Sequence, residues 1–427
     1  MSMEAILFIT FVFLLVINIP IGAALGLSCI AALVFGDMPT PPLVVAQRMF
    51  TSVDSFPFMA IPFFMIAGGF METGGMSRRL VEFAKALVGT IPGGLGIITV
   101  VASAFFAALS GSNPATVAAI GSIMIPAMVK AGYPLDVAAA LAASAGTLGV
   151  IIPPSIPMVT YGVVTNTSIG DLFVAGFVPG LMIAAVLMGL ILWMAKKYDL
   201  RGGEATSWEK ILSTGKDALL ALFMPIIILG GIYGGIFTPT EAAAVATVYS
   251  LLVGMFVFQE IKVSDLKEVI LKAAVSSAVV LFVIATSSSF SWLLTSMQIP
   301  EKVAGVMLEI SKNPTVILLI LNVILLFLGT FLETQAIILL VTPIIFPLAM
   351  NLGIDPLLLG IIIVVNTSVG MITPPMAVNL FVACSISGLS IERISKRILP
   401  FLFAEIAALL LITNIPAISL TLVKFFK

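Results

Sequence analysis

Long apolar runs alternate with short polar interruptions along this chain, and the length of each run decides what it can be. Full-length apolar segments occupy roughly residues 4–18, 20–36, 56–72, 137–165, 172–195, 218–236, 240–258, 270–295, 357–386 and 398–421. A helix rises about 1.5 Å per residue, so some 20 apolar residues cross a hydrocarbon core of about 30 Å. These segments are read as membrane helices. Two further regions are split. Residues 95–109 are apolar, "SGSNP" (110–114) interrupts them, and 115–129 are apolar again. The same layout recurs at 315–328, "GTFLETQ" (329–335) and 336–350. An arm of about 15 residues reaches only about 22 Å, too short to cross. The pattern therefore predicts two re-entrant helical hairpins whose polar tips lie at membrane depth, shielded by protein or water. The charge-bearing stretches 205–217 and 262–273 read as amphipathic helices along the membrane surface.

Two of the full-length segments carry helix-breaking clusters. "GTLGVIIPPSIPMV" (146–159) contains the pair Pro153 and Pro154, and "NTSVGMITPPMAVNLF" (366–381) contains Pro374 and Pro375. Gly149, Pro153 and Pro154 recur 221 positions later as Gly370, Pro374 and Pro375. The same offset relates Pro126 to Pro347, Gly132 to Gly353 and Pro179 to Pro400, and it aligns Ser112 with Glu333 and Asn113 with Thr334. The chain is thus predicted to hold two homologous halves, each with one hairpin and one broken helix. Residues 1–195 form the first repeat, 196–217 a cytoplasmic linker, and 218–427 the second repeat.

Charge orients the halves. Each half has five crossings plus a hairpin that returns to its own side, and an odd number inverts the second half. With the N-terminus outside, the inner regions hold 15 of the 20 Lys and Arg residues, counting Lys272 at a helix end. Arg48, Lys302, Lys312, Lys424 and Lys427 remain outside. The positive-inside rule supports an inverted repeat with both termini outside.

Composition narrows the class. The chain is 60% hydrophobic and 10% charged, with a mean hydropathy of +1.22, which marks a polytopic membrane protein solvated by the lipid bilayer. A net charge of −1 argues against a nucleic-acid partner. Histidine is absent, which removes Ser-His-Asp catalysis and histidine metal sites. No transition-metal site or enzyme motif is expected. Cys29 and Cys384 read as small hydrophobes. The opening run "MSMEAILFITFVFLLV" lacks a basic n-region and reads as a retained first membrane helix.

A helix broken at mid-membrane frees carbonyls that suit a cation such as Na⁺ and amides that suit an anion. Nearby hydroxyls and amides add oxygen ligands without charge. The candidates in the first half are Ser103, Ser110, Ser112, Asn113, Ser144, Thr147 and Gly149. Those in the second are Gly329, Thr330, Glu333, Thr334, Asn366, Thr367, Ser368, Gly370 and Thr373. Each also fits a packing role, since Ser and Thr often bond the preceding turn. Pro153, Pro154, Pro374 and Pro375 are read as keeping carbonyls unpaired and aimed at the cation. Glu333 either tunes a site or caps the second arm of its hairpin. "TPTE" (238–241) reads as a capping box. Glu405 stands alone in an apolar helix, and "ATSSSFSW" (285–292) is either a lining surface or a packing seam.

"SGSNPATVAAIGSIMIPAM" (110–128), "GTLGVIIPPSIPMV" (146–159) and "NTSVGMITPP" (366–375) closely resemble the large membrane subunit of tripartite ATP-independent periplasmic (TRAP) transporters, most of all the sialic-acid branch. The resemblance covers essentially the whole chain. It implies an elevator-type importer in the bacterial inner membrane, coupled to Na⁺. The partners it implies are a small four-helix membrane subunit and a periplasmic substrate-binding protein that delivers an organic acid, such as sialic acid or a C4-dicarboxylate. It also implies the unfused form, with the small subunit on a separate chain. A transport domain would comprise about 57–165 plus 274–386, and the remaining helices a scaffold. The hairpin tips and broken helices would carry the sodium sites, with substrate near the tips. No Walker motif occurs, in keeping with an ion gradient as driving force. The rival readings are a stand-alone Na⁺/dicarboxylate symporter or ion antiporter of related architecture, and a channel.

Overall fold

In the computed structural model, residues 2–88, 91–198, 207–375 and 377–426 are described. They form helices joined by short turns, with no β-strand among them. The first half runs α1 (Met3–Val16), α2 (Ile21–Phe35), α3 (Leu43–Val53), α4 (Ala60–Thr73), α5 (Met76–Val88), α6 (Gly94–Ser110), α7 (Asn113–Lys130), α8 (Leu135–Ala145), α9 (Leu148–Ile151), α10 (Ile156–Thr165) and α11 (Ile169–Tyr198). The second runs α12 (Trp208–Tyr233), α13 (Pro239–Leu252), α14 (Val263–Ser296), α15 (Ile299–Ile310), α16 (Pro314–Gly329), α17 (Thr334–Asn351), α18 (Pro356–Gly370), α19 (Val378–Ser387), α20 (Ile391–Asn414) and α21 (Ala417–Phe426). Eight of these stretches are long and apolar enough to cross a membrane.

The 221-residue offset is visible in the helix boundaries. It carries both ends of α7 onto those of α17, and the start of α8 onto that of α18. Gly132 and Gly353 both turn the chain with positive φ, and both proline pairs are joined by cis peptides. The hairpins form as expected, within two residues of the predicted arms: α6 with α7, and α16 with α17. Left-handed Gly111 (φ 59°) makes the first tip, a conformation that costs any other residue. The capping box also forms: Thr238 N–H donates to Glu241 at 2.8 Å, and Glu241 N–H to the Thr238 hydroxyl at 3.3 Å.

Three sequence expectations change. The stretch 262–273 is not a separate surface helix; it is the first part of the 34-residue α14. The stretch 205–217 likewise merges into α12 from Trp208 onward, and residues 199–206 of the expected linker lie outside the described residues. In both cases nothing in the sequence breaks the helix between its charged and apolar parts, so it continues. The segment 398–421 is divided instead, because Pro416 stops α20 and α21 starts beyond it.

The main core gathers α6 to α11 with α16 to α20. The amphipathic α5 buries Leu80, Val81 and Ala84 against this body while Arg78 stays exposed. α1 and α2 pack separately on the end of α14, through Leu7, Leu25, Phe290 and Leu293. At one end, Arg397 Nε bonds Asp136 Oδ2 at 3.0 Å and ties α20 to the start of α8. At the corner between α4 and α5, Arg78 and Arg79 both reach Glu260, at 2.8 and 2.6 Å, and Arg79 stacks on Phe258.

Candidate functional site

The site forms where both hairpin tips meet both helix breaks. Ser112 leaves the first tip in extended conformation, so α7 begins at Asn113 with its side chain turned inward and fully buried. Asn113 Oδ1 accepts from the Val150 amide at 2.9 Å. Asn113 Nδ2 donates to Ser368 Oγ at 2.7 Å and lies 3.4 Å from the Met371 sulfur. Ser368 Oγ in turn donates to the Thr147 carbonyl at 2.7 Å. One amide side chain therefore stitches the first tip to the first break and to the end of α18 in the opposite repeat.

Close backbone approach explains the glycines. A Cβ on Gly149 would stand 2.4 Å from the Ser112 carbonyl oxygen and 2.6 Å from Thr116 Oγ1. A Cβ on Gly370 would stand 2.6 Å from Gly329 Cα. Each break thus lies directly on its own repeat's hairpin. Thr116 Oγ1 donates to the Ser112 carbonyl at 2.8 Å and lies 3.0 Å from Ser110 Oγ, which ties the first tip together. At the second tip, Thr334 Oγ1 contacts the Met371 sulfur at 3.3 Å. A small cavity of about 40 Å³ touches all four elements, bordered by Ser112, Asn113, Val150, Glu333, Thr334 and Met371.

The remaining candidates fall into three groups. The hydroxyls of Thr147, Thr330, Thr367 and Thr373 donate to the carbonyls of Ser144, Phe327, Ile363 and Val369 in their own turns. Their protons are spent, but each keeps a lone pair. Ser103 Oγ, Ser144 Oγ and Asn366 Oδ1 are buried without a hydrogen-bond partner. Asn366 Nδ2 bonds the Asn322 carbonyl and side chain at 3.0 Å, and Asn322 reaches Thr413 at 2.9 Å, so Asn366 braces α18 against α16 and α20. Glu333 stands at the N-cap of α17, the position the capping alternative requires, and makes no capping hydrogen bond there. Glu405 is wholly buried in α20, beside the Thr147 hydroxyl.

The two breaks differ in one respect. Pro153 and Pro154 have no amide hydrogen for the carbonyls of Gly149 and Val150, as the proline reading requires. In the second break the corresponding carbonyls do find donors: Thr373 N–H reaches Gly370 at 2.9 Å and Asn379 N–H reaches Met371 at 3.1 Å. The expectation that all four prolines leave carbonyls unpaired is corrected there, because the chain folds back and supplies other amides. Sequence reading missed Met371, Thr116, Asn322 and Asn379. A methionine gives no signal even inside a break, Thr116 and Asn322 lie in the hairpin arms, and Asn379, although within the second break's stretch, was not singled out among its polar residues.

Buried neutral oxygens without partners, together with backbone carbonyls at helix ends, suit a hard monovalent cation better than a soft metal. Among the described residues no cluster of three His, Cys, Asp or Glu exists. Paired hairpins and paired helix breaks, meeting through oxygen and amide groups, define a membrane carrier of repeat architecture. The chain belongs to the family described as tripartite ATP-independent periplasmic transporter, DctM component, whose pattern it matches over residues 8–418. It is 46% identical over 93% of both chains to the C4-dicarboxylate TRAP transporter large permease protein DctM of Pseudomonas aeruginosa. It shares 46% with the isethionate TRAP transporter permease protein DctMQ of Oleidesulfovibrio alaskensis, covering 97% of this chain but 65% of that longer relative. With the sialic acid large permease protein SiaM of Vibrio cholerae it shares 37%, over 97% of this chain and 96% of the relative. Among solved structures, the Alcanivorax borkumensis YdaH transporter superposes with a TM-score of 0.63 at 14% identity, covering 96% of this chain and 98% of that one. At that identity the likeness speaks to the fold alone.

Proposed function

We propose that this chain is the large permease subunit of a Na⁺-coupled importer of a small organic acid. One observation carries the reading: Asn113 joins the first tip to both breaks, at a cavity that the second tip also borders. A cation held among these oxygens pulls tip and break together, and that closes the substrate side of the site. Ser110, Ser112, Gly149 and Thr147 supply oxygens on the first side; Gly329, Thr330, Thr334, Gly370 and Thr373 supply them on the second. The organic acid binds beside the tips. The relatives named for C4-dicarboxylate and isethionate stand at 46% identity and the sialic acid relative at 37%. This favours a small acid over a nine-carbon sugar acid.

The partners in this reading are a periplasmic binding protein and a small membrane subunit, and the membrane is the bacterial inner membrane with both termini outside. The moving body comprises the hairpins and breaks within the expected 57–165 and 274–386, namely α6 to α10 and α16 to α19, whereas α4 and α14 stay with the scaffold because α4 packs on α13 and α14, and α14 on α2 and α3. α11 and α20 join it, although the sequence reading left them in the scaffold, because both pack on the hairpins and breaks within the main core. The test is uptake into proteoliposomes containing this chain, its small subunit and a binding protein loaded with a C4-dicarboxylate or isethionate. Uptake should need an inward Na⁺ gradient and all three components. Equal uptake in choline buffer would remove the coupling, and full uptake by the lone chain would favour a stand-alone symporter.

A further inference from the structure

Two cavities lie where fixed helices face the hairpins, and they are related by the internal repeat. The larger, about 520 Å³, lies between the first tip (Ser110, Ser112) and α4, which presents Met65, Gly68, Gly69 and Glu72. The other, about 350 Å³, is bordered on α14 by Ile284, Ser287, Ser288 and Ser291. These four positions are the α4 positions carried 219 residues on, with the same helical spacing. The structure repeats the wall but not what faces it. Gly68 faces the first tip itself, its added Cβ falling 3.8 Å from the Leu109 carbonyl oxygen and Ser110 Cα. The α14 wall faces the shaft of the second hairpin, where Ser291 Oγ donates to the Leu339 carbonyl at 3.4 Å and Thr342 and Phe346 line the cavity. Ser287 Oγ and Thr342 Oγ1 are buried there without a hydrogen-bond partner.

We infer that Ser287, Ser288 and Ser291 form the fixed wall of a second substrate chamber, and that the tip of the second hairpin seats against it in the opposite state. The offset relating the hairpins carries Leu109 and Ser110 onto Thr330 and Phe331. In that state Ser287 therefore meets Thr330 and Phe331, where it now borders the same cavity as Thr342. Thr342 lies about 11 residues beyond Phe331, so the second hairpin slides by ~16 Å along α14. The motif "SSSFS" is then explained by function: Ser287, Ser288 and Ser291 lie against the hairpin shaft in one state and face water and an organic anion in the other. Ser289 does not take part, since its hydroxyl bonds the Val45 carbonyl at 3.0 Å and holds α14 on α3. The two walls also differ in charge. The 520 Å³ chamber carries Glu72 from α4 and Asp265, Glu268 and Lys272 from the start of α14, whereas the 350 Å³ cavity has hydroxyl and apolar groups and no charge.

The inference rests on the elevator reading, and crosslinking separates the two. In a protein with Cys29 and Cys384 replaced by Ala, two pairs are compared with a short bifunctional thiol reagent. Ser291→Cys with Leu339→Cys captures the present state. Ser287→Cys with Phe331→Cys captures the inferred one. Both pairs should link, and each link should abolish uptake by the full three-part system, at least tenfold against the unlinked protein. Linking of the Ser291/Leu339 pair with loss of uptake, but none of the Ser287/Phe331 pair during turnover, would overturn the seat and leave the elevator standing. Undiminished uptake with the Ser291/Leu339 pair fully linked would overturn both. Thermal stability of each unlinked pair, matched to the cysteine-free parent, shows that a missing link reflects distance rather than unfolding.

Discussion

Asn113 makes three contacts with a side chain of four heavy atoms beyond Cα, and its replacement shows how the site is held. Asn113→Ala leaves the buried Val150 amide without its partner and removes the donor to Ser368, which keeps its bond to the Thr147 carbonyl. An unsatisfied buried group costs about 1–3 kcal/mol. The variant should melt several degrees lower and need a higher Na⁺ concentration for half-maximal uptake, read from melting curves and uptake across a Na⁺ series. An unchanged Na⁺ dependence would confine Asn113 to packing. The glycines give a cleaner contrast. Gly370→Ala places a methyl 2.6 Å from Gly329 Cα, a backbone atom that cannot yield cheaply. Overpacking of this kind costs about 1–3 kcal/mol. Gly230→Ala, within α12, meets nothing within 4 Å and should be neutral or slightly stabilising. Equal melting temperatures for the two variants would mean that the second hairpin and break are not in contact.

Single elements decide how the breaks work. Pro153→Ala/Pro154→Ala restores two amide donors opposite the carbonyls of Gly149 and Val150, so α9 can run on into α10. We expect normal expression and thermal stability, with the Na⁺-dependent rise in melting temperature lost. In Pro374→Ala/Pro375→Ala the effect should be smaller, because Gly370 and Met371 already have amide partners. Melting curves with and without Na⁺ for the two double variants test the order, and equal losses would refute it. The hairpins and breaks were legible in the sequence because Gly, Pro and short polar groups interrupt otherwise uniform apolar runs, and because the interruptions recur at one offset. The helices α3, α5 and α15 were not. They are amphipathic and 11 to 13 residues long, so no apolar run announces them. The proline asymmetry was also hidden, since it depends on Asn379 and Thr373 folding back, which no local pattern reports. At the site, the tip residues were readable from position, whereas Met371 and Asn379 act through contacts to Asn113 and the Ala143 carbonyl that exist only once the two halves are brought together, and Thr116 acts through the fold of the first tip.

For the molecule as a whole, the repeat makes two similar halves and the sequence then makes them unequal. One hairpin shows its tip to α4 and the other shows its shaft to α14. The 520 Å³ chamber, which opens inward in the proposed orientation, is also walled by more acid than base. Glu268 and Lys272 pair at 2.6 Å with side chains 70% and 75% exposed, so their attraction is largely screened. Glu72 and Asp265 border the same space. If the cargo is the dicarboxylate proposed above, one that has left this chamber must climb a repulsive field to return. On the proposed reading, re-entry of accumulated cargo is slowed at the mouth, before any ion site is reached. Vesicles preloaded with a labelled C4-dicarboxylate should lose it several-fold faster from a Glu72→Gln/Asp265→Asn/Glu268→Gln variant than from the parent. The difference should shrink as salt rises and the Debye length falls below ~10 Å. Equal leak rates at low salt would mean that the acids serve the fold alone, and that retention of cargo depends entirely on the sodium gradient.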